Sequence, residues 1–352
     1  MSTSPRVLFA ANAGPEVGGG HIMRCLTLAR ALGERGATCT FLSGPGVGEV
    51  LGAFAPDMPR LAVDNIDTDT LMEATGFEAF DALVFDHYEL TADDHRDVAR
   101  GRPTLVIDDL ANRPLAADLI VDSGPQRRTE DYDGLAPRSA RLLLGPAYAP
   151  VRPEFAALRD QALARRTGPV ERVLVSLGLT DVGGITGRVL DRLRPRLGEV
   201  GLDVVVGSTA PGRAGLERLA RRDPRLVVHV DTPDMARLAA EADLAVGAAG
   251  SSIWERCTLG LPSVMVVLAD NQRPAARALE AGGAAFIVEA ADPQFDTAFD
   301  HAFLRLFASE AARVKMAAKC AEVCDGLGAA RTADAFLDLI ATRDSTPRSR
   351  LI

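Results

Sequence analysis

The chain alternates short apolar runs with segments in which apolar residues recur at helical spacing. Runs such as "RVLFA" (6–10), "ALVF" (82–85) and "TLVI" (104–107) lack polar alternation, which is typical of strands that are buried on both faces. Between Ile22 and Leu32, by contrast, the apolar residues follow the period of an amphipathic helix. Buried strands that are separated by helices predict parallel sheets with helices on both faces.

A proline cluster, "GPAYAPVRP", interrupts this pattern, and a second series of strand runs begins at "RVLVSLG". The chain has 352 residues, which is more than one ordinary hydrophobic core accommodates. We therefore predict two tandem doubly wound, Rossmann-like α/β domains, 1–150 and 151–342, the second with terminal helices, and a mobile tail at 343–352. Ligands bind such sheets at the carboxyl ends of the strands, so the expected site is a cleft between facing domains.

The composition narrows the class of protein. Hydrophobic residues make up 47% and charged residues 25% of the chain, as in ordinary globular proteins. The net charge of −9 argues against nucleic-acid partners but allows an anionic substrate, because helix N-termini bind phosphate locally. The five cysteines lack the spacing of a zinc site and are interpreted as reduced thiols, which suits the cytoplasm. No signal peptide is evident, and no apolar run reaches the ~18–20 residues of a membrane span, so we expect no membrane insertion.

The first candidate for chemistry is "EVGGGHIMRC", which follows the first predicted strand. Its glycines, Gly18, Gly19 and Gly20, allow positive φ and the close approach of a ligand. His21 falls in the first turn of a helix, where the helix dipole favours the neutral imidazole that a general base requires near pH 7. A tight turn before a helix explains the same residues, so both interpretations stay open. The motif is not the dinucleotide fingerprint, because Met23 stands where a glycine is needed.

Two further clusters lie at predicted strand ends. Asp86, His87 and Tyr88 follow one strand in "VFDHYEL", and Asp108 and Asp109 follow the next in "VIDDLANR". Polar residues there are typical of a ligand site, and paired aspartates suit metal binding or acid–base chemistry. Helix capping and hydrogen bonds within the loops are equally common reasons for such residues.

The strongest segment is "GAAGSSIWERC", where a strand runs into a helix near Ser251. Small residues leave backbone N–H groups bare at this turn, which suits a diphosphate. Glu255 lies one turn into the helix, within reach of the hydroxyls of a ribose. The next strand ends in Asn271 and Gln272, so two successive strand ends carry polar groups. Close packing of small residues between helix and sheet is the alternative.

Two further motifs, "LLGPAYAPVRPEF" and "VLVSLGLTD", accompany these. In the order and spacing of its motifs, the sequence resembles the UDP-2,4-diacetamido-2,4,6-trideoxy-β-L-altropyranose hydrolases of pseudaminic acid biosynthesis. That family is related to the MurG-type transferases, so the resemblance, which covers nearly the whole chain, implies a GT-B architecture. It also implies a UDP-sugar substrate, a reaction without metal or cofactor, and a product used for flagellin or surface polysaccharide. It leaves contact with other pathway enzymes open. The chain departs from the family at Leu179, where a second glycine is usual, which puts the role of that loop in phosphate binding in doubt.

The resemblance implies roles for individual residues. The base that activates water is His21, the sugar meets Gly19, Gly20, Tyr88, Asn271 and Gln272, and UDP is bound by Gly250, Ser251, Ser252 and Glu255. Water then attacks the anomeric carbon with inversion, and UDP departs.

Two rival functions use the same features. A MurG-like glycosyltransferase would pass the sugar to an acceptor, but the first domain shows no clear apolar and basic patch for a lipid-linked one. A non-catalytic nucleotide-sugar sensor would need neither His21 nor Tyr88.

Overall fold

The computed structural model describes residues 4–12, 19–77 and 79–344. Of these, 4–12, 21–77, 79–150 and 327–344 form one compact unit, and 19–20 with 151–326 form a second. Gly18 and the end of the predicted tail, 345–352, lie outside the described residues.

The first unit is built on parallel strands. Its strands are β1 (Arg6–Ala11), β2 (Thr38–Ser43), β3 (Arg60–Ala62), β4 (Ala82–Asp86), β5 (Thr104–Ile107), β6 (Leu119–Asp122) and β7 (Arg141–Leu144). Its helices are α1 (Gly20–Gly33), α2 (Pro45–Phe54), α3 (Thr68–Phe77), α4 (Ala92–Ala99) and, from the end of the chain, α13 (Gly328–Asp344). The described strands pair in the order β3-β2-β1-β4-β5-β6-β7. The order runs outward in both directions from β1 and β4, which defines a doubly wound sheet.

Central strand β1 shows why the sheet is covered on both faces. Val7 and Phe9 pack into one apolar cluster, and Leu8 and Ala10 pack into another. Successive side chains of a strand point to opposite faces, so an apolar run without alternation places a core on each side. Helix α1 covers the first of these cores with its apolar face.

The second unit repeats the plan. Its strands are β8 (Arg172–Ser176), β9 (Gly201–Val206), β10 (Leu226–Val230), β11 (Leu244–Ala248), β12 (Ser263–Val267) and β13 (Phe286–Glu289). Its helices are α5 (Pro153–Ala164), α6 (Ile185–Leu193), α7 (Arg213–Ala220), α8 (Met235–Glu241), α9 (Ser252–Thr258), α10 (Arg273–Ala281), α11 (Phe295–Ala308) and α12 (Glu310–Val323). The described strands are all parallel, in the order β10-β9-β8-β11-β12-β13.

The predicted fold class of two tandem doubly wound α/β sheets is confirmed. The pattern missed β3, because this edge strand is three residues long and Leu61 between its two exposed ends is only half-buried. The expected division also differs at α13, which packs with the first unit rather than with 151–326. None of the helices in the described part of the chain combines the length and the apolar character that crossing a membrane requires.

Candidate functional site

His21 and Asp86 form a buried pair in the first unit. His21 stands in the first turn of α1, and Asp86 is the last residue of β4, the strand beside β1. The Nδ1 atom of His21 lies 2.6 Å from Oδ1 of Asp86. Their side chains are 7% and 1% exposed, so water competes little for this contact.

Arg24, one helical turn after His21, fixes the position of Asp86. Its Nε donates to one oxygen of Asp86 and its Nη2 to the other, both at 2.6 Å. Its Nη1 also donates to Asp109 at 2.9 Å. Burial alone would raise the pKa of Asp86, but the charge of Arg24 and the hydrogen bonds from Arg24 and His21 outweigh burial and hold that pKa well below its usual range.

The ionised state of Asp86 determines the tautomer of His21. An ionised carboxylate only accepts hydrogen bonds, so Nδ1 of His21 carries the hydrogen and donates it to Asp86. Arg24 Nη2 lies 3.2 Å from that nitrogen because both groups donate to the same oxygen. In neutral His21 the lone pair is therefore on Nε2, the atom that a base uses.

Tyr88 and Asp109 extend this arrangement. The Tyr88 hydroxyl donates to Asp109 at 2.9 Å, and its ring meets His21 edge-on with the ring centroids 4.7 Å apart. Asp109 thus links Tyr88 to Arg24. His87 has a different hydrogen-bond partner: its Nδ1 accepts from the backbone N–H of Glu89.

The paired aspartates Asp108 and Asp109 do not act as a pair. Asp108 accepts from Arg113 and from the hydroxyl of Tyr132, which also lies 2.8 Å from Asp122. Burial raises the pKa of Asp122 despite the nearby charge of Arg127. Hydrogen bonding within the loops therefore accounts for Asp108, whereas Asp109 belongs with His21, Arg24 and Tyr88.

In the second unit, Gly250, Ser251 and Ser252 form the turn between β11 and α9. The backbone N–H groups of Gly250 and Ser251 have no acceptor within the described ranges. All three residues are half-buried, so the turn remains accessible.

The glycines before His21 do not act through positive φ where the structure describes them. Gly20, at the start of α1, has a helical backbone, so what it contributes is its small size. Gly19 before it is buried.

Glu255 is held by a residue that the sequence analysis did not single out. Nε of Arg152 donates to Oε1 of Glu255 at 2.8 Å, and both side chains are 15% exposed. The guanidinium of Arg152 also lies over the ring of Phe155, 4.9 Å from its centroid. Arg152 lies within the motif "GPAYAPVRPEF", which is the feature of the sequence that could have pointed to this residue.

The two polar residues after β12 differ in their surroundings. Asn271 and Gln272 lie in a short 3₁₀ turn, Asp270–Gln272. The side-chain oxygen of Gln272 accepts from the backbone N–H of Leu268 at 2.9 Å, which orients its amide. Asn271 is exposed.

The loop after β8 places Leu179 against the end of β9. The carbonyl oxygen of Leu179 accepts from the backbone N–H of Gly207 at 3.0 Å. A Cβ on Gly207 would stand 2.5 Å from that oxygen, so Gly207 must lack a side chain. Leu179 and Gly207 are thus joined by a close backbone contact, and the effect of Leu179 on phosphate binding stays a prediction.

Comparison with known proteins agrees with this fold. Residues 225–325 match the family described as the glycosyltransferase family 28 C-terminal domain. The structure superposes on that of MurG from Acinetobacter baumannii with a TM-score of 0.67 and 20% identity, covering 95% of this chain and 99% of that one.

The curated relatives include both a hydrolase and a transferase. The chain is 24% identical to the UDP-2,4-diacetamido-2,4,6-trideoxy-β-L-altropyranose hydrolase of Campylobacter jejuni, over 77% of this chain and 94% of that protein. It is 30% identical to the UDP-N-acetylglucosamine–N-acetylmuramyl-(pentapeptide) pyrophosphoryl-undecaprenol N-acetylglucosamine transferase of Xanthomonas oryzae, over 94% of this chain and 79% of that protein.

Two parallel Rossmann-like sheets and the matched C-terminal domain define a GT-B enzyme that acts on nucleotide sugars. Within that class, the chain belongs to the MurG-like family that includes the UDP-2,4-diacetamido-2,4,6-trideoxy-β-L-altropyranose hydrolases.

Proposed function

We propose that the protein hydrolyses a UDP-activated 2,4-diacetamido-2,4,6-trideoxy hexose to UDP and the free sugar, as a step of pseudaminic acid biosynthesis. The observation that carries this proposal is the His21–Asp86 pair, in which Asp86 holds Nδ1 of His21 at 2.6 Å and leaves Nε2 as the basic atom. Binding alone needs no oriented base, so the pair favours an enzyme over a sensor. The named hydrolase among the relatives supports the choice of substrate.

The attacking water loses a proton to Nε2 of His21. Asp86 then stabilises the imidazolium that forms, as a carboxylate does in a catalytic triad. Arg24 keeps Asp86 in place through two hydrogen bonds, so the base does not need to reorganise during the reaction. Tyr88 contacts both the ring of His21 and Asp109, and we assign it to the sugar, together with Gly19, Gly20, Asn271 and Gln272.

The leaving group is UDP, and the main task is to stabilise negative charge on its departing phosphate. We assign this to the bare N–H groups and hydroxyls of the Gly250–Ser251–Ser252 turn, with Glu255 accepting from the ribose. The reaction then requires no metal. Water attacks opposite the leaving group, so the configuration at the anomeric carbon is inverted.

The deciding experiment is a product assay in oxygen-18 water, with the UDP-sugar and no acceptor. We expect rapid release of UDP and label in the free sugar, because water attacks carbon 1. Label in UDP would show cleavage at phosphorus instead and would contradict the mechanism.

Replacing the base tests its role directly. In His21→Gln we expect UDP binding to be retained and turnover to fall by ~10²–10⁴-fold, the usual contribution of a general base. Full turnover in this variant, with a wild-type unfolding profile, would remove His21 from the mechanism.

Transfer to an acceptor is the second candidate function, and the 30% identity to the Xanthomonas oryzae transferase favours it. It predicts slow UDP release without acceptor and a marked acceleration when a lipid-linked sugar is added. Equal rates with and without acceptor would favour hydrolysis.

A further inference from the structure

A charged side chain is buried directly behind the Gly250–Ser251–Ser252 turn. Arg256 lies on α9, and only 2% of its surface is exposed. Its Nη1 donates to Oγ of Ser252 at 2.9 Å, and its Nη2 donates to the carbonyl of Ala248 at 2.6 Å. Its Nε has no partner among the described residues.

No carboxylate of the described residues forms an ion pair with this guanidinium. In the part of the chain that the structure describes, Arg256 forms no ion pair, and the neighbouring Glu255 is bound to Arg152. Burial lowers the pKa of Arg256 from its ordinary value, although an arginine stays charged in a protein. A buried charge without a counterion is costly, and the hydrogen bonds of Arg256 offset that cost only in part, because its Nε lacks a partner among the described residues.

Gly247 of β11 provides the space that the guanidinium fills. A Cβ at this position would stand 2.5 Å from Nη1 and 2.7 Å from Cζ of Arg256. The backbone of Gly247 lies in an ordinary strand, so conformational freedom does not explain the glycine. The absence of a side chain at Gly247 and the position of Arg256 therefore depend on each other.

Arg166 shows what a purely structural buried arginine looks like in the same unit. All three of its nitrogen positions donate to backbone carbonyls, those of Leu259, Ala242 and Ala239. This arginine satisfies carbonyl groups of helices and loops, and each of its nitrogen positions has a hydrogen-bond partner. Arg256 differs, because it donates to a hydroxyl of the turn and keeps one orphan N–H.

The contact with Arg256 determines whether the Ser252 hydroxyl donates or accepts toward a ligand. A serine hydroxyl that accepts from a guanidinium keeps its own hydrogen for another acceptor. Ser252 is half-buried, and its hydroxyl belongs to the turn whose N–H groups are bare. A phosphate oxygen is an acceptor that suits both groups, and its negative charge offsets that of Arg256.

We propose that Arg256 is a positioning residue for the diphosphate of the substrate: it orients the Ser252 hydroxyl as a donor and supplies the buried positive charge behind the turn. This inference rests on the proposed assignment of UDP to that turn. It predicts that the contribution of Arg256 is specific to ligands that carry phosphate.

The test compares the binding of UDP and uridine to the full-length protein by titration calorimetry. In Arg256→Met we expect the affinity for UDP to fall about tenfold or more, as when a charge-assisted interaction is lost, while that for uridine stays unchanged. Gly247→Ala should weaken UDP binding in the same direction, because the added methyl group displaces the guanidinium. The double variant should bind UDP no more weakly than Arg256→Met alone.

Arg166→Met is the matched control, since it removes a buried guanidinium of the same unit and should leave the ratio of UDP to uridine affinity unchanged. If Arg256→Met does not fold, Gly247→Ala decides. A wild-type ratio in folded Gly247→Ala or Arg256→Met would overturn the inference. A wild-type protein that binds UDP no better than uridine would instead contradict the proposed function itself.

Discussion

Arg24 shows how one side chain links the residues of the first unit. Its guanidinium contacts Asp86 through two nitrogens and Asp109 through a third. The planar fork of an arginine matches a carboxylate in this bidentate manner, which a lysine cannot reproduce. His21 and Tyr88 each accompany one of the two aspartates, so Arg24 determines the spacing between the base and the phenol.

Replacing Asp86 by asparagine tests the orientation of the base. The side-chain NH₂ group that Asp86→Asn introduces can donate to Nδ1 of His21, which moves the imidazole hydrogen to Nε2 and removes the basic lone pair. We expect kcat to fall by ~10²–10⁴-fold while UDP affinity is retained. Steady-state rates and UDP titration measure the two quantities.

Asp97→Asn on the exposed face of α4 is the control and should leave both quantities unchanged. If Asp86→Asn kept the wild-type kcat, the tautomer argument would be wrong.

At the scale of elements, the packing of α4 against β4 depends on His95, a buried histidine that must stay neutral. The ring of His95 stacks on Phe85 with the centroids 4.7 Å apart, and Nδ1 accepts from the backbone N–H of Ala116. Its Nε2 is buried without a partner in the described ranges. Burial lowers the pKa of His95 to about 4.

This burial makes the stability of the first unit depend on pH. The unfolded state binds a proton near pH 6.5, whereas the folded state binds it only near pH 4, so stability is lost as pH falls through this window. Between pH 7 and pH 5 we expect a loss of about 2 kcal/mol from this residue. Urea unfolding at the two pH values measures it.

His95→Phe keeps the stacking and should make the urea midpoint less dependent on pH. His301→Gln, at an exposed position, should retain the wild-type dependence. Equal pH dependence in His95→Phe and wild type would show that other groups are responsible.

The elements differ in how far the sequence determines them. The central strands could be predicted because they are buried on both faces and therefore apolar throughout, whereas β3 at the edge has no such pattern. His21 and Tyr88 stand out by residue type at strand ends. Arg24 and Arg152 do not, because an arginine in a helix or loop is ordinary until its carboxylate partner, 62 or 103 residues away, is known.

At the scale of the whole chain, the last helix belongs to the first sheet. Phe336 of α13 is fully buried in the same apolar cluster as Val7 and Phe9 of β1. Arg35, just after α1, pairs with Asp334, and Arg343 bonds to the carbonyl of Gly101. The first unit is therefore assembled from both ends of the chain.

Truncating Phe336 tests this dependence. We expect Phe336→Ala to destabilise the protein by ~3–5 kcal/mol, because it leaves a cavity in the core of the first unit. Asp338→Ala, on the exposed side of the same helix, should change stability little. Thermal unfolding followed by near-ultraviolet circular dichroism measures both, and similar midpoints for the two variants would contradict the packing of α13.

The position of α13 has a consequence for the order of events during synthesis. Residues 151–326 form most of the second unit in one continuous stretch, so its core can close soon after residue 326 leaves the ribosome. The N-terminal sheet, although made first, lacks Phe336 and its neighbours until α13 has been synthesised. Its uncovered apolar face must be protected for that interval, because exposed apolar surface on a partly folded chain promotes aggregation.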